Sequence, residues 1–172
     1  ASLGLGYLAS YLRKHGHKVH IIDAITEEGA KITKVKSNGN AFYRKGISNE
    51  ELIGLISPDS DFIGITVSFN ANASIIHQLV PKIKERFPDV PVILGGSYPS
   101  SLPQEALSSG ADYVVKGEGE IPLLKLAEGE DHLQIKGVIS KESLDIASGD
   151  FAEVVRELDD LPYPAYDLLP IE

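Results

Sequence analysis

The chain has no cysteine and no methionine, and nowhere is it apolar for long. Without cysteine there is no disulfide, no thiol nucleophile and no cysteine-ligated cluster within these residues. No run approaches the roughly 20 apolar residues of a membrane span, and no signal-peptide pattern opens the chain. Methionine is missing even at position 1, and Ala1-Ser2-Leu3 leads almost at once into a helical pattern. That is the start expected of a piece of a longer protein. Positive charge is also scarce: 16 Lys and Arg against 25 Asp and Glu leave a net charge of −9. This argues against nucleic acid or an anionic membrane as the main partner, and a cytoplasmic location fits. What is present is enough for a sizeable core, since 42% of the 172 residues are hydrophobic. One domain with short appendages is expected.

The most informative stretch is Val90–Ser100, Val-Pro-Val-Ile-Leu-Gly-Gly-Ser-Tyr-Pro-Ser. Val92-Ile93-Leu94 is a short apolar run bounded by proline and a glycine pair, which reads as a strand buried on both faces of a parallel sheet. Glycines at the carboxyl end of such a strand remove side chains where α/β folds place their ligands. A tight turn that needs φ > 0 accounts for Gly95-Gly96 equally well.

Along the chain, Leu5, Leu8, Ala9 and Leu12 share one helical face, with Arg13 and Lys14 in the last turn and Gly16 as the cap. Val19–Asp23 reads as a short strand, and 26–47 as a loop or small hairpin around Asn38-Gly39. Ser48 and Glu51 have capping-box spacing before a helix carrying Leu52, Ile53 and Ile56. Phe62–Ser68 is a second buried strand. A helix over 73–86 follows, with Pro81 predicting a kink or a late start. A short helix over 103–109, a strand over 112–115 and a helix over 120–127 come next. Val138–Ser140 and Phe151–Val155 read as a two-stranded tail around a polar turn. Strands alternating with helices at this spacing predict an α/β fold: a Rossmann-like (flavodoxin-like), doubly wound parallel sheet in three α/β/α layers. The end, 158–172, has three prolines between positions 162 and 170 and reads as an extended linker. The domain proper is then 1–157.

Several constellations bear on chemistry. Gly4-Leu-Gly6-Tyr-Leu-Ala9 matches G-x-G-x-x-[G/A], and Asp23 stands nineteen residues after Gly4. On paper this is a dinucleotide fingerprint, but the motif must follow a strand and none precedes it. Helix-entry packing explains the same small residues. Ser68-Phe69-Asn70-Ala71-Asn72 offers a hydroxyl and two amides at the carboxyl edge, either to a nucleotide-like tail or to local turns. Lys116–Glu120 sets two glycines and two carboxylates at a strand-to-helix turn. Glu118 and Glu120 are an acid/base pair on one reading, and on the other acids favoured by the helix dipole. Of the five histidines, His15, His17 and His20 invite a metal assignment, yet each has a local explanation and no carboxylate cluster shares their spacing. His77 is expected at the surface and His132 in a polar loop. No catalytic residue and no metal ligand is assigned.

Together these pieces resemble the N-terminal cobalamin (vitamin B12)-binding domain of the cobalamin-dependent radical S-adenosylmethionine proteins, a group similar in part to the anaerobic magnesium-protoporphyrin IX monomethyl ester cyclases. The resemblance is carried by Leu3–Leu12 running to Gly16-His-Lys-Val and Asp23, by Ile63–Ser68, by Val92–Pro99 and by Gly117–Glu120. Leu158–Ala165 is similar to the linker that leads into the radical barrel. The resemblance implies cobalamin across the carboxyl edge of the sheet, with contacts at Ser68, Phe69 and Asn70, at Gly95, Gly96, Ser97 and Tyr98, and at Gly117, Glu118, Gly119 and Glu120. It also implies that the parent, a methyltransferase or cyclase-like enzyme, carries S-adenosylmethionine and a [4Fe–4S] cluster in a barrel absent from these residues. Two departures stand out. The Asp-x-His-x-x-Gly histidine that ligates cobalt in the classical domains is missing, so no protein ligand is expected. The family's first strand is missing too. The competing readings are a dinucleotide-binding oxidoreductase domain resting on Gly4, Gly6, Ala9 and Asp23, and a degenerate docking module without cofactor.

Overall fold

The computed structural model describes residues 2–37, 40–143 and 150–170, with backbone alone for 35–37, 40–42 and 71. Helix α1 spans Leu3–Lys14, and an antiparallel hairpin follows, β1 (Lys31–Ser37) and β2 (Asn40–Gly46). Then come α2 (Asn49–Leu55), β3 (Ile63–Thr66), α3 (Ala73–Arg86) and β4 (Val92–Gly95). Short helices α4 (Ser97–Ser101) and α5 (Pro103–Leu107) lead to β5 (Tyr113–Val115), α6 (Glu120–Ala127) and β6 (Val138–Ile139). The main sheet has the order β3-β4-β5-β6, parallel from β3 to β5 and antiparallel at β6.

β4 lies inside this sheet, and Val92, Ile93 and Leu94 are at most 3% exposed, as an apolar run without alternation requires. Successive side chains feed two cores. One face joins Leu94, Val114 and Ile139 to Ile76, Leu79, Val80 and Ile83 of α3 and to Ala106 and Leu107 of α5. The other joins Ile93, Val115 and Val138 to Leu123 and Leu126 of α6, against which α1 packs. Helices therefore cover both faces of a largely parallel sheet. At the start of β4 the Asp112 carboxylate accepts the Val92 N–H at 2.7 Å and the Lys84 ammonium at 3.0 Å.

Local signals act as their chemistry requires. Ser48 and Glu51 form a complete capping box. Gly16, at φ +89°, ends α1 while His17 N–H reaches back to the Leu12 carbonyl at 3.1 Å. α3 begins at Ala73 and runs through Pro81, whose exposed position lets the ring face solvent.

Two expectations are corrected. Val19–Asp23 forms no strand: β3 is the last strand of the sheet on that side, so no ladder reaches these residues, although Ile22 packs on the main core. Val138–Ile139 pairs with β5 rather than with 151–155, because Lys116 N–H and carbonyl are taken up by Gly137 and Ala152 on separate strands of chain. Residues 144–149 of the turn expected between those stretches, like Asn38-Gly39, lie outside the described residues.

The segment expected as a linker lies along α1. Ala165 N–H donates to the Gly6 carbonyl at 3.0 Å, Arg13 Nη1 donates to both Asp167 carboxylate oxygens, and the Lys14 ammonium donates to the Asp160 carbonyl at 2.7 Å. No helix among the described residues is long and apolar enough to cross a membrane.

Candidate functional site

Strand alternation builds the site. Ile63, Ile65 and Val67 turn into the main core, so Gly64, Thr66 and Ser68 fall on the opposite face, and all three are exposed. The β3–β4 register sets Gly64 beside Ile93 and Thr66 beside Gly95. Gly64, Thr66 and Gly95 thus form a floor of small groups at the carboxyl end of the parallel strands. A Cβ added at Gly64 or at Gly95 meets no described atom within 4 Å. Neither glycine is required by protein packing, and neither has the positive φ that would call for it.

Gly96 differs from its neighbour. Its φ is +101°, and a Cβ there would stand 2.7 Å from the Val67 carbonyl oxygen. That carbonyl also accepts the Tyr98 N–H at 3.1 Å, and the Ser97 hydroxyl donates to the Ser68 carbonyl. The turn reading therefore holds for Gly96 and the open-backbone reading for Gly95. Tyr98 corrects the expected contact set. It is fully buried in the main core, its hydroxyl 3.3 Å from a Glu105 carboxylate oxygen. Burial, then the Glu105 charge, pushes its phenol up to about 12.

The third wall is the turn after β5. Gly117, at φ +105°, donates its N–H to the Ser100 hydroxyl at 3.1 Å, and the Lys116 ammonium sits 4.7 Å from the centre of the Phe151 ring. Gly119 is pressed by α1, a Cβ there lying 2.8 Å from Leu8. Glu118 is exposed and Glu120 half-buried; desolvation, and next the Glu118 charge, raises the Glu120 carboxyl above its usual range. Across the edge, Asn70–Asn72 forms a single helical turn leading into α3, and Phe69 is 70% exposed. Neither the Asn70 nor the Asn72 side chain makes a hydrogen bond among the described residues, and Asn72 does not cap α3. Their amides are not consumed by local turns.

The structure thus brings Ser68, Phe69, Asn70, Gly95, Ser97 and the 117–120 turn to one sheet edge and takes Tyr98 out. Gly64 and Thr66 were not singled out from the sequence, although the signal was present: small or polar residues at 64, 66 and 68 share a strand face. The glycine motif of α1 is not a dinucleotide loop. Gly4 and Gly6 lie within the helix, and a Cβ on Gly6 would stand 2.9 Å from Leu169 and 3.1 Å from Pro164. Asp23 accepts the Ile25 N–H at 3.1 Å and so shapes its own turn. His15 bonds the Tyr11 carbonyl at 2.9 Å. His77 and His132 are half-buried, the latter with its ring tilted 47° against Tyr113 at 5.0 Å between centres. Among the described residues no three His, Asp or Glu side chains stand close enough to hold a metal ion.

Comparison with known proteins identifies the family. The B12 binding domain model matches residues 1–127. An uncharacterized methyltransferase of Pyrococcus horikoshii is 28% identical over 179 residues, covering 99% of this chain and 34% of that protein. The cytidylyl-2-hydroxyethylphosphonate methyltransferase of Streptomyces wedmorensis is 30% identical over 124 residues, 71% of this chain and 23% of that protein. An uncharacterized methyltransferase of Synechocystis is 30% identical over 82 residues, 47% of this chain and 13% of that protein. The chain spans about a third or less of the length of these curated relatives. No solved structure gives a significant match. The chain belongs to the B12-binding domain family.

Proposed function

We propose that this chain is the cobalamin-binding module of a larger radical S-adenosylmethionine enzyme, a methyltransferase or magnesium-protoporphyrin ester cyclase-like protein, and that it holds cobalamin at the carboxyl edge of its sheet. The observation that carries the site is the open floor at Gly64, Thr66 and Gly95. Two glycines that packing does not require leave backbone bare where a broad, flat ligand needs close approach. The groups present fit cobalamin: a long edge, little charge on the floor, and hydroxyls and amides at Thr66, Ser68, Asn70 and Asn72 for its polar periphery. Bound there, cobalamin would supply a cobalt centre able to carry a methyl group.

The chain's own residues bind and orient. Thr66 and Ser68 offer hydroxyls from one strand, and Asn70 and Asn72 offer amides from the loop above it. Phe69 provides apolar area, and Glu118 and Glu120 close the rim. None of these stretches contains a histidine, which supports binding without a protein ligand to cobalt. The methyltransferase names of the relatives and the small share of their length spanned here support a larger parent. Its cluster and S-adenosylmethionine would be held in a barrel reached through residues 158–172.

The test is equilibrium binding of hydroxocobalamin to variant chains. Gly95→Val and Gly64→Val, both compatible with a β-strand, should each weaken binding at least about tenfold while the fold persists, a loss of about 1.4 kcal/mol. If Gly6→Val alone removed binding, the site would lie at α1 instead.

A further inference from the structure

One stretch of the chain runs against its overall charge. Between Glu28 and Glu50 there is no acidic residue, while Lys31, Lys34, Lys36, Arg44 and Lys45 are all cationic. The β1–β2 register sets Ile32 opposite Lys45 and Lys34 opposite Tyr43. Directly opposed residues share a face, so these four side chains form one surface. All four are exposed, Ile32 at 69% and Tyr43 at 73%. Lys34 and Lys45 have no acidic partner among the described residues. Arg44, on the other face, fixes the foot of the hairpin: it donates to Asn49 Oδ1 at 2.8 Å and to the Ile47 carbonyl at 3.1 Å. Ile47 N–H in turn donates to the Ala24 carbonyl at 2.8 Å. An exposed ribbon that is both basic and apolar differs from the enclosed, mostly apolar lining of a small-molecule site. It suits an acidic surface that also carries apolar groups.

The chain itself presents such a surface. Residues 150–160 hold Asp150, Glu153, Glu157, Asp159 and Asp160 against the single cation Arg156. They lie outside strands and α-helices, and Phe151, Val154 and Leu158 are 62%, 53% and 77% exposed. The Glu153 carboxylate accepts from the Lys125 ammonium at 3.0 Å; the other four carboxylates have no cationic partner among the described residues, Lys14 reaching only the Asp160 backbone carbonyl. A nucleic acid would match the hairpin in charge, but it would not match Ile32 with aliphatic groups. Segment 150–160 matches in both respects.

We propose that the basic hairpin of one copy docks on the acidic segment 150–160 of a second copy, head to tail. The two patches differ, so the contact is heterologous and propagates unless the rotation closes a ring. Exposed charges attract across only about 8 Å at physiological ionic strength, so the association is salt-sensitive.

Sedimentation velocity of the full chain tests this. The expected weight-average mass rises above 18.6 kDa with concentration in dilute buffer. It returns to the single-chain value in about 1 M salt, where the screening length is about 3 Å. Lys34→Glu/Lys45→Glu chains and Glu157→Lys/Asp159→Lys chains should each remain single. Mixed together, the two reversed chains should associate again, which no folding defect can produce. Single chains at every concentration, or a reversed mixture that stays single, would overturn the proposal. So would association that ignores the reversals, as pairing through the open edge of β3 would give. Single chains that bind polyuridylate through the hairpin would assign this face to nucleic acid instead.

Discussion

The carbonyl oxygen of Val67 stands 2.7 Å from the point a Cβ on Gly96 would occupy, whereas the same point on Gly95 meets no described atom within 4 Å. Two adjacent glycines therefore serve different ends. Gly96→Ala drives a methyl into the Val67 backbone just after β3 and forces an L residue to φ +101°. It should cost at least about 2 kcal/mol in urea unfolding. Gly95→Val should leave the unfolding free energy within about 0.5 kcal/mol of the parent, because the added atoms enter open space.

Gly6 lets the segment 160–170 lie against α1. Gly6→Val pushes Leu169 and Pro164 away and should cost about 1–3 kcal/mol locally. Hydrogen exchange at the Ala165 amide, which donates to the Gly6 carbonyl, should accelerate. Exchange at Leu94 should not change.

Glu120 gives the site a pH dependence of definite sign. Its folded-state value is raised by desolvation and then by Glu118, so between the ordinary carboxylate range and that raised value the folded chain binds more protons than the unfolded one. Stability must then fall as pH rises through this window. Glu120→Gln should remove this slope and stabilise the chain at neutral pH, as thermal unfolding across pH 4–7 would register. A steeper fall in the variant would mean that another group is responsible.

Arg13 Nη1 donates to both Asp167 carboxylate oxygens, yet the two side chains are 44% and 62% exposed. A double-mutant cycle with Arg13→Ala and Asp167→Ala should give a coupling of only about 0.5 kcal/mol, reduced further by salt. Burial of Leu169 against Gly6, rather than this pair, holds the segment in place.

Elements set by local chemistry were legible in the sequence. The capping box at Ser48, the Gly16 cap and the unalternating apolar run of β4 each encode their structure within a few residues. Val19–Asp23 was not legible, because a strand is defined by its ladder and β3 ends the sheet on that side. The partner of β6 was misread for a related reason: two short apolar stretches looked like each other's partners, while the strand that pairs with β6 is β5, far earlier in the chain. At the candidate site, the resemblance pointed to the carboxyl edge of the sheet, where the structure places an open floor. Tyr98 misled because the turn at Gly96 sends the next aromatic inward, and a positive φ is not visible in a Gly-Gly pair. Gly64 and Thr66 were overlooked because the strand was read as an apolar run rather than as two alternating faces.

A spectrophotometric titration of the purified chain with hydroxocobalamin, run in parallel on Gly95→Val, tests the central claim most directly. Saturable binding by the parent chain is predicted, with the visible band moving toward the base-off form and no signature of a histidine ligand. The folded Gly95→Val chain is predicted to leave the spectrum unchanged. A folded parent chain that leaves the spectrum unchanged, or a Gly95→Val chain that binds equally well, would contradict a cobalamin site on the floor formed by Gly64, Thr66 and Gly95.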